Sequence, residues 1–397
     1  MARSAQNKVR FGIVGLGFIG LTHGRLILGE WNRDFCLGAV ADSYGDAARR
    51  AGNEFHVPWF RNHRDMFAAG VVDAVIICTP HFWHPPIAIE AARAGLHVLC
   101  EKPLAATIGP ARLMVDECRR NGVSFGAVLQ HRTRSIMKKM KQIVDSGRLG
   151  EIVRVEMTCT DWYRTQAYYD SSPWRGTWDG EGGGLMQNQV PHHLDLFQWI
   201  GGMPGRVSAI LTTRLHRIEV ENTANIILEY GEGKTGYIYA TTAELPGRER
   251  FMVVGDRGTI VCEGNKLRLG KLEQPTSEHI FECPEARADF IRRPACEWED
   301  VSIPGRVGGQ HVDIIRSFAR HILRGSDMVA TGEDALNEVE LANATYLAAF
   351  KKRAIDLPVD AEEMDELLMQ LEAERSAGEG LDQRAEAAEA LARLMEN

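Results

Sequence analysis

A short apolar run, Val9 to Val14, passes straight into Gly15-Leu16-Gly17-Phe18-Ile19-Gly20, and this junction limits the fold more tightly than anything else in the chain. The run reads as a buried parallel strand. Gly15 permits a tight turn, Gly17 lets backbone come close to a pyrophosphate, and Gly20 lets the next helix pack on the strand. That helix is expected over about Phe18 to Leu28, its free N–H groups and positive end available to phosphates. A second apolar run, Phe35 to Ala41, ends in Asp42, about 20 residues beyond Gly20, where an acid would bond the ribose hydroxyls. A carboxylate there repels a 2′-phosphate, and no arginine follows in Ser43-Tyr44-Gly45. NAD is therefore expected in preference to NADP. Gly15, Gly17, Phe18, Ile19, Gly20, Asp42 and Ser43 are the first candidate cofactor contacts.

Strand and helix signals alternate up to about residue 130. Asp73 to Thr79, His97 to Cys100 and Ser124 to Leu129 read as further strands, with helices over Pro86 to Ala94 and Pro110 to Asn121. Alternation of this kind predicts a doubly wound parallel sheet, which binds ligands at the carboxyl ends of its strands. Asp42, Pro80 to His84 and Lys102 fall at those ends. The pattern then changes. Ser135 to Val144 looks helical and Gly147 to Gly150 a turn. From Ile152 to Thr158, and again from Arg206 to Leu269, strand signals follow one another. Gly231-Glu232-Gly233 and Asp256-Arg257-Gly258 look like hairpin turns. The expected class is α/β: a Rossmann domain over residues 1–130, then an α+β domain over 131–360 on a largely antiparallel sheet. Residues 273–310 read as loop, Val312 to Leu323 and Glu333 to Lys351 as helices. The charged, Ala/Glu-rich tail, 361–397, has helical spacing and is expected to pack on the body or on a partner subunit.

At 397 residues the chain suits two domains with proper cores. A net charge of -8 argues against nucleic acid as a partner. No apolar stretch reaches membrane-spanning length, and the short polar N-terminus shows no secretory signal. The 8 cysteines form no C-x-x-C pairs and read as small buried thiols, so a cytoplasmic location is expected and no metal site.

Two stretches could carry chemistry. Lys102 precedes Pro103 at a strand end, and the ammonium can donate to a substrate hydroxyl or to the ribose. Beside the positive nicotinamide its pKa should fall, which suits a proton relay. The other stretch runs from Glu181-Gly182-Gly183-Gly184 through Asn188 to Pro191-His192-His193-Leu194-Asp195. Pro191 suits the first turn of a helix, which would set His192, Asp195 and Trp199 on one face. Histidine is the natural base near neutral pH, and an acid one turn away could orient it. Helical spacing alone does not say whether His192 or His193 faces the cleft. The three glycines imply close backbone approach or a mobile segment. Between Trp162 and Trp178 lie Tyr163, Arg164, Tyr168, Tyr169, Trp174 and Arg175; aromatic faces and guanidinium forks suit a polyhydroxylated ring or an anion, or a loop packed on itself.

With these residues assembled, the chain resembles the Gfo/Idh/MocA oxidoreductases from about Lys8 to Pro358. The resemblance rests on the glycine fingerprint with Asp42, Thr79-Pro80 with His84, Glu101-Lys102-Pro103, the triple glycine, His192-x-x-Asp195, and Asp356-Leu357-Pro358. It implies a Rossmann domain, a second domain with an open sheet whose free face forms a subunit contact, and hydride transfer between a nicotinamide cofactor and a sugar, cyclitol or related ring. A homodimer or homotetramer is then expected. Lys102 aligns with the family's catalytic lysine, and His192, rather than His193, with its catalytic histidine. Thr79, Pro80, His84 and Glu101 join the cofactor contacts; Arg132, Trp162, Arg164, Trp174 and Arg175 join Lys102, Asn188 and His192 as substrate contacts. The chain departs at Asn188, where many members carry aspartate, and an amide cannot take a proton. Two other functions fit the same residues: a glycoside hydrolase that oxidises, eliminates and reduces with bound NAD, and a non-catalytic NAD-binding regulator.

Overall fold

A computed structural model describes residues 8–29, 33–305, 309–374 and 383–396. Six parallel strands form the first sheet: β1 (Val9–Val14), β2 (Phe35–Ala41), β3 (Trp59–Phe60), β4 (Ala74–Ile77), β5 (His97–Cys100) and β6 (Phe125–Ala127), in the order β3-β2-β1-β4-β5-β6. This is the doubly wound order, and the reversal beside β1 puts a crevice at the strand ends that carry Gly15, Asp42 and Thr79. The apolar runs are buried on both faces, Phe11 and Ile13 completely so. The two-residue strand β3 was not legible in the sequence.

The glycines behave as their spacing predicts. Gly15 has φ +91°, and a side chain on Gly20 would strike the Gly15 carbonyl, so only glycine lets the Phe18–Gly29 helix sit this close. A side chain on Gly17 would meet nothing, because that position opens onto free space where phosphates would lie.

The second sheet holds nine strands: β7 (Ile152–Cys159), β8 (Arg206–Thr212), β9 (Thr223–Glu229), β10 (Thr235–Thr241), β11 (Glu249–Gly255), β12 (Gly258–Glu263), β13 (Lys266–Leu272), β14 (Cys296–Asp300) and β15 (Ile355–Asp356). Neighbours are antiparallel except β10 with β7. One face is covered by the Pro191–Gly201 and Gly332–Lys351 helices, with Phe197 stacked on Phe251 at 6.0 Å. The other is open, and Ile210, Ile227, Tyr237 and Trp298 are exposed on this sheet. Residues 273–310 are less irregular than expected: within them Thr276–Glu282 is helical and β14 extends the sheet edge.

A division at residue 130 does not separate the cores. The His311–Arg324 helix, opened by a capping box at Gln310 and closed by Gly325 with φ +67°, returns to the first sheet. Its Val312, Ile315 and Phe318 complete the core around Phe11, and Arg320 and Arg324 pair with Asp34 at 3.1 and 2.5 Å. The tail packs on the body. Its Ala361–Ala373 helix lies on the Ile108–Arg120 helix, and its Gln383–Met395 helix on the His84–Arg93 helix. Among the described residues no helix is long and apolar enough to cross a membrane, and no group of His, Cys, Asp and Glu could hold a metal.

Candidate active site

Lys102 follows β5 directly, and its Nζ donates to the backbone carbonyl of Asn188 at 2.7 Å. This contact joins the Rossmann sheet to the glycine-rich segment of the second domain. Burial holds the ammonium below the ordinary lysine pKa, against the pull of Glu101, Glu338 and Glu181. Glu101 is itself buried. Burial would raise its pKa, but the His23 contact at 2.7 Å prevails and keeps it low. Its other oxygen accepts from the Lys102 backbone N–H at 3.2 Å. Glu101 therefore fixes the strand end and is not turned toward a cofactor.

His84 is likewise withdrawn. It is fully buried, with Nδ1 at 2.9 Å from the Pro103 carbonyl and Nε2 at 2.8 Å from that of Thr79. It ties two strand-end loops together and leaves no ring nitrogen for a cofactor. Thr79 keeps a buried hydroxyl without a partner. Asp42 accepts from Leu16 N at 2.7 Å and from Tyr44 N at 2.8 Å, which holds its carboxylate beside the glycine turn. Ser43 and Phe18 are exposed, and Ile19 is half-buried.

The histidine pair divides by charge. His192 Nε2 meets the Gln130 amide at 3.0 Å, and its ring stacks on His131 at 4.5 Å. Burial, then the neighbouring His131 ring and the Lys102 ammonium, push its pKa well below the ordinary value, so the ring is neutral and keeps a lone pair, though a weakly basic one. For His193 burial also opposes charge, yet Cys159 and Glu249, the latter at 3.6 Å, raise its pKa. A protonated imidazole cannot act as a base, whereas a neutral ring carries a lone pair.

Asp195 does not orient His192. It forms a buried, bidentate pair with Arg132, whose Nη2 lies 2.6 Å from Oδ1, and Arg132 sits over Trp199 at 5.4 Å. Arg132 is only 2% exposed, so it is a structural cation and not a substrate contact.

The triple glycine is closely packed. A side chain on Gly183 would collide with Tyr346 Oη and one on Gly184 with the Glu221 carbonyl. The Glu221 carboxylate accepts from Met186 N at 2.9 Å and from Tyr346 Oη at 2.8 Å. Burial raises its pKa to about 7. This clamp sets the Leu185–Asn188 turn, and with it Asn188. Nearby, Tyr168 lies between two guanidinium groups, Arg164 at 4.7 Å and Arg175 at 4.5 Å from its ring centre. Arg164 also covers Trp162, and Arg175 covers Trp174. Both arginines keep a buried Nε without a hydrogen-bond partner among the described residues.

Three groups escaped sequence reading. Gln130 and His131 follow β6, and the strand-end rule applied to that strand would have found them. Glu338 gave no signal, since an acid within a helix reads as solvated. It is fully buried, neither oxygen has a hydrogen-bond partner among the described residues, and burial pushes its carboxyl to about 8. Its folded pKa lies above the unfolded one, so its stability contribution is whole below about pH 4.5 and is lost as pH rises through about 8. Glu338→Gln should stabilise the protein by about 1–3 kcal/mol at pH 8 and by little at pH 4, read from urea unfolding at both values. An equal change at both would show that the carboxyl does not titrate in the folded state.

Residues 9–128 match the oxidoreductase family with an NAD-binding Rossmann fold, and residues 137–261 match the GFO/IDH/MocA C-terminal domain. Inositol 2-dehydrogenase of Rhizobium meliloti is 27% identical over 367 residues, covering 88% of this chain and 99% of that one. D-apiose dehydrogenase of Paraburkholderia graminis is 25% identical over 353 residues, covering 87% and 88%. Among solved structures, the WlbA dehydrogenase of Bordetella pertussis in complex with NADH and UDP-GlcNAcA is 29% identical with a TM-score of 0.74, covering 89% of this chain and 100% of that one. Through both of its domains, the chain belongs to the Gfo/Idh/MocA family of NAD-binding oxidoreductases.

Proposed function

We propose that this protein is an NAD-dependent dehydrogenase acting on a secondary alcohol of a sugar, cyclitol or related ring. The observation that carries the reading is the meeting of Lys102, Asn188 and a neutral His192 at the carboxyl ends of the Rossmann strands. The relatives named for inositol and apiose dehydrogenation support this substrate class. Bound NAD would supply a hydride acceptor at C4 of its nicotinamide. Gly17 opens onto free space where phosphates would lie, and Asp42, held beside the glycine turn, would meet the ribose. His192 takes the hydroxyl proton. Lys102 donates to the same oxygen and polarises it. Its pKa, lowered by burial, brings proton exchange closer to neutral pH. On this reading Trp162, Trp174, Arg164 and Arg175 would wall the cleft, where aromatic rings and guanidinium donors suit ring hydroxyls or a carboxylate.

The test is NADH absorbance with NAD+ and glucose, glucuronate, myo-inositol and p-nitrophenyl glucoside. Sustained NADH with one ring class is expected, and Lys102→Ala and His192→Ala should each lose about 10²–10⁴-fold in kcat. Wild-type rates in both variants would overturn the assignment, and glycoside cleavage without NADH would replace it with hydrolysis.

NAD is preferred over NADP on this reading, because the Asp42 carboxylate is fixed at the ribose end. Asp42→Ser with Ser43→Arg should shift the kcat/KM ratio toward NADP, and an unchanged ratio would place ribose recognition elsewhere. The exposed Ile210, Ile227 and Tyr237 suit a subunit contact through the open sheet face. Sedimentation should then find a dimer or tetramer that Ile227→Arg dissociates; a monomeric wild type would remove this surface from consideration.

A further inference from the structure

Beyond its own helical turn, Asn188 makes two hydrogen bonds. Its backbone carbonyl takes the Lys102 ammonium at 2.7 Å, and its side-chain Nδ2 donates to Glu181 Oε1. The two ends of an amide have opposite hydrogen-bond sense: the nitrogen donates and the oxygen accepts. Whichever end is tied down decides what the other end offers to the cleft.

Glu181 decides it here. Its residue is 1% exposed, and its Oε2 accepts from Gly176 N at 2.7 Å. Arg175 Nη1 lies 3.9 Å from Oε1, and His81 Nδ1 lies 3.0 Å from the Glu181 backbone carbonyl. Burial raises the Glu181 pKa, opposed by the Gly176 amide, the Asn188 amide and Arg175. Both Glu181 oxygens accept from N–H donors, Oε2 from Gly176 and Oε1 from Asn188, so the NH2 end of the Asn188 amide faces the carboxyl group. Asn188 Oδ1 has no hydrogen-bond partner among the described residues. The Thr177–Gly182 turn sets Glu181 and the Glu221 clamp sets Asn188, so both groups reach this contact on fixed backbone.

We propose that Glu181 is a positioning residue, which locks the Asn188 amide so that Oδ1 faces the cleft as an uncharged acceptor for a substrate hydroxyl. The lock separates two duties: Asn188 orients the ring, while proton transfer stays with His192. The inference rests on the dehydrogenase reading for its kinetic part only.

The experiment is a double-mutant cycle on the full chain with Glu181→Gln, Asn188→Asp and both together. Asn188→Asp alone sets two carboxylates against each other and should lower Tm at pH 7.5. In the double variant the amide introduced at position 181 can donate to the new carboxylate, so most of that loss should return. Additive Tm changes would overturn the contact, and this arm needs no substrate, so a failed redox reading leaves it standing. In kinetics, with whichever of the four compounds gives NADH, Glu181→Gln should lose about 10²-fold in kcat with NAD+ affinity unchanged. Adding Asn188→Asp should restore most of it, because a carboxylate presents an acceptor oxygen either way round. A Glu181→Gln rate within about twofold of wild type, or a double variant no faster than the single, would overturn the positioning role.

Discussion

Everything at the site depends on one buried ion pair. Arg132 lies just past the last strand of the Rossmann sheet, and Asp195 lies one turn into the Pro191–Gly201 helix of the second domain. Their bidentate contact fixes the distance between the two halves of the cleft, because His192 sits one turn before Asp195 and Gln130 two residues before Arg132. Such pairs gain little net stability, since desolvation offsets most of the attraction. Their geometry is nonetheless demanding: losing either partner strands a charge in the interior, at a cost of about 3–5 kcal/mol. The pair is a register device. It admits one docking of helix on sheet, and that docking brings a neutral histidine beside Lys102.

The surrounding polar groups follow the same logic. Glu101 with His23, Glu221 with Tyr346, and Glu181 with Asn188 each bury a carboxylate against directed donors. Each holds a backbone segment or an amide in place and none is free to wander. A cleft assembled this way is set before any substrate arrives.

The sequence made the first sheet legible because its strands are continuous apolar runs, and the glycine turn has only one physical use in that setting. It was poorer where partners come from far along the chain. Arg132 was expected as a substrate contact on the family resemblance, and only the fold reveals Asp195 opposite it. His84 and Glu101 have the right positions for cofactor contacts, yet both point into the protein, a matter of rotamer and neighbour that spacing does not encode. Glu338 lies among Leu, Ala and Val on its helix, and nothing local distinguishes it from a solvated acid. Glu181 was visible as the head of the glycine triplet, but its task depends on the amide opposite.

The return of the His311–Arg324 helix to the first sheet has a consequence for the order of assembly. Phe11 packs on Phe318 at a centroid distance of 6.3 Å, across most of the length of the chain. During synthesis this face of β1, partly covered by the Phe18–Gly29 helix, therefore stays incomplete until the His311–Arg324 helix has left the ribosome. Contacts of such long range close slowly, and exposed sheet surface invites association meanwhile. The nucleotide-binding sheet is thus made early and finished late, and its maturation waits on a helix that follows the second sheet.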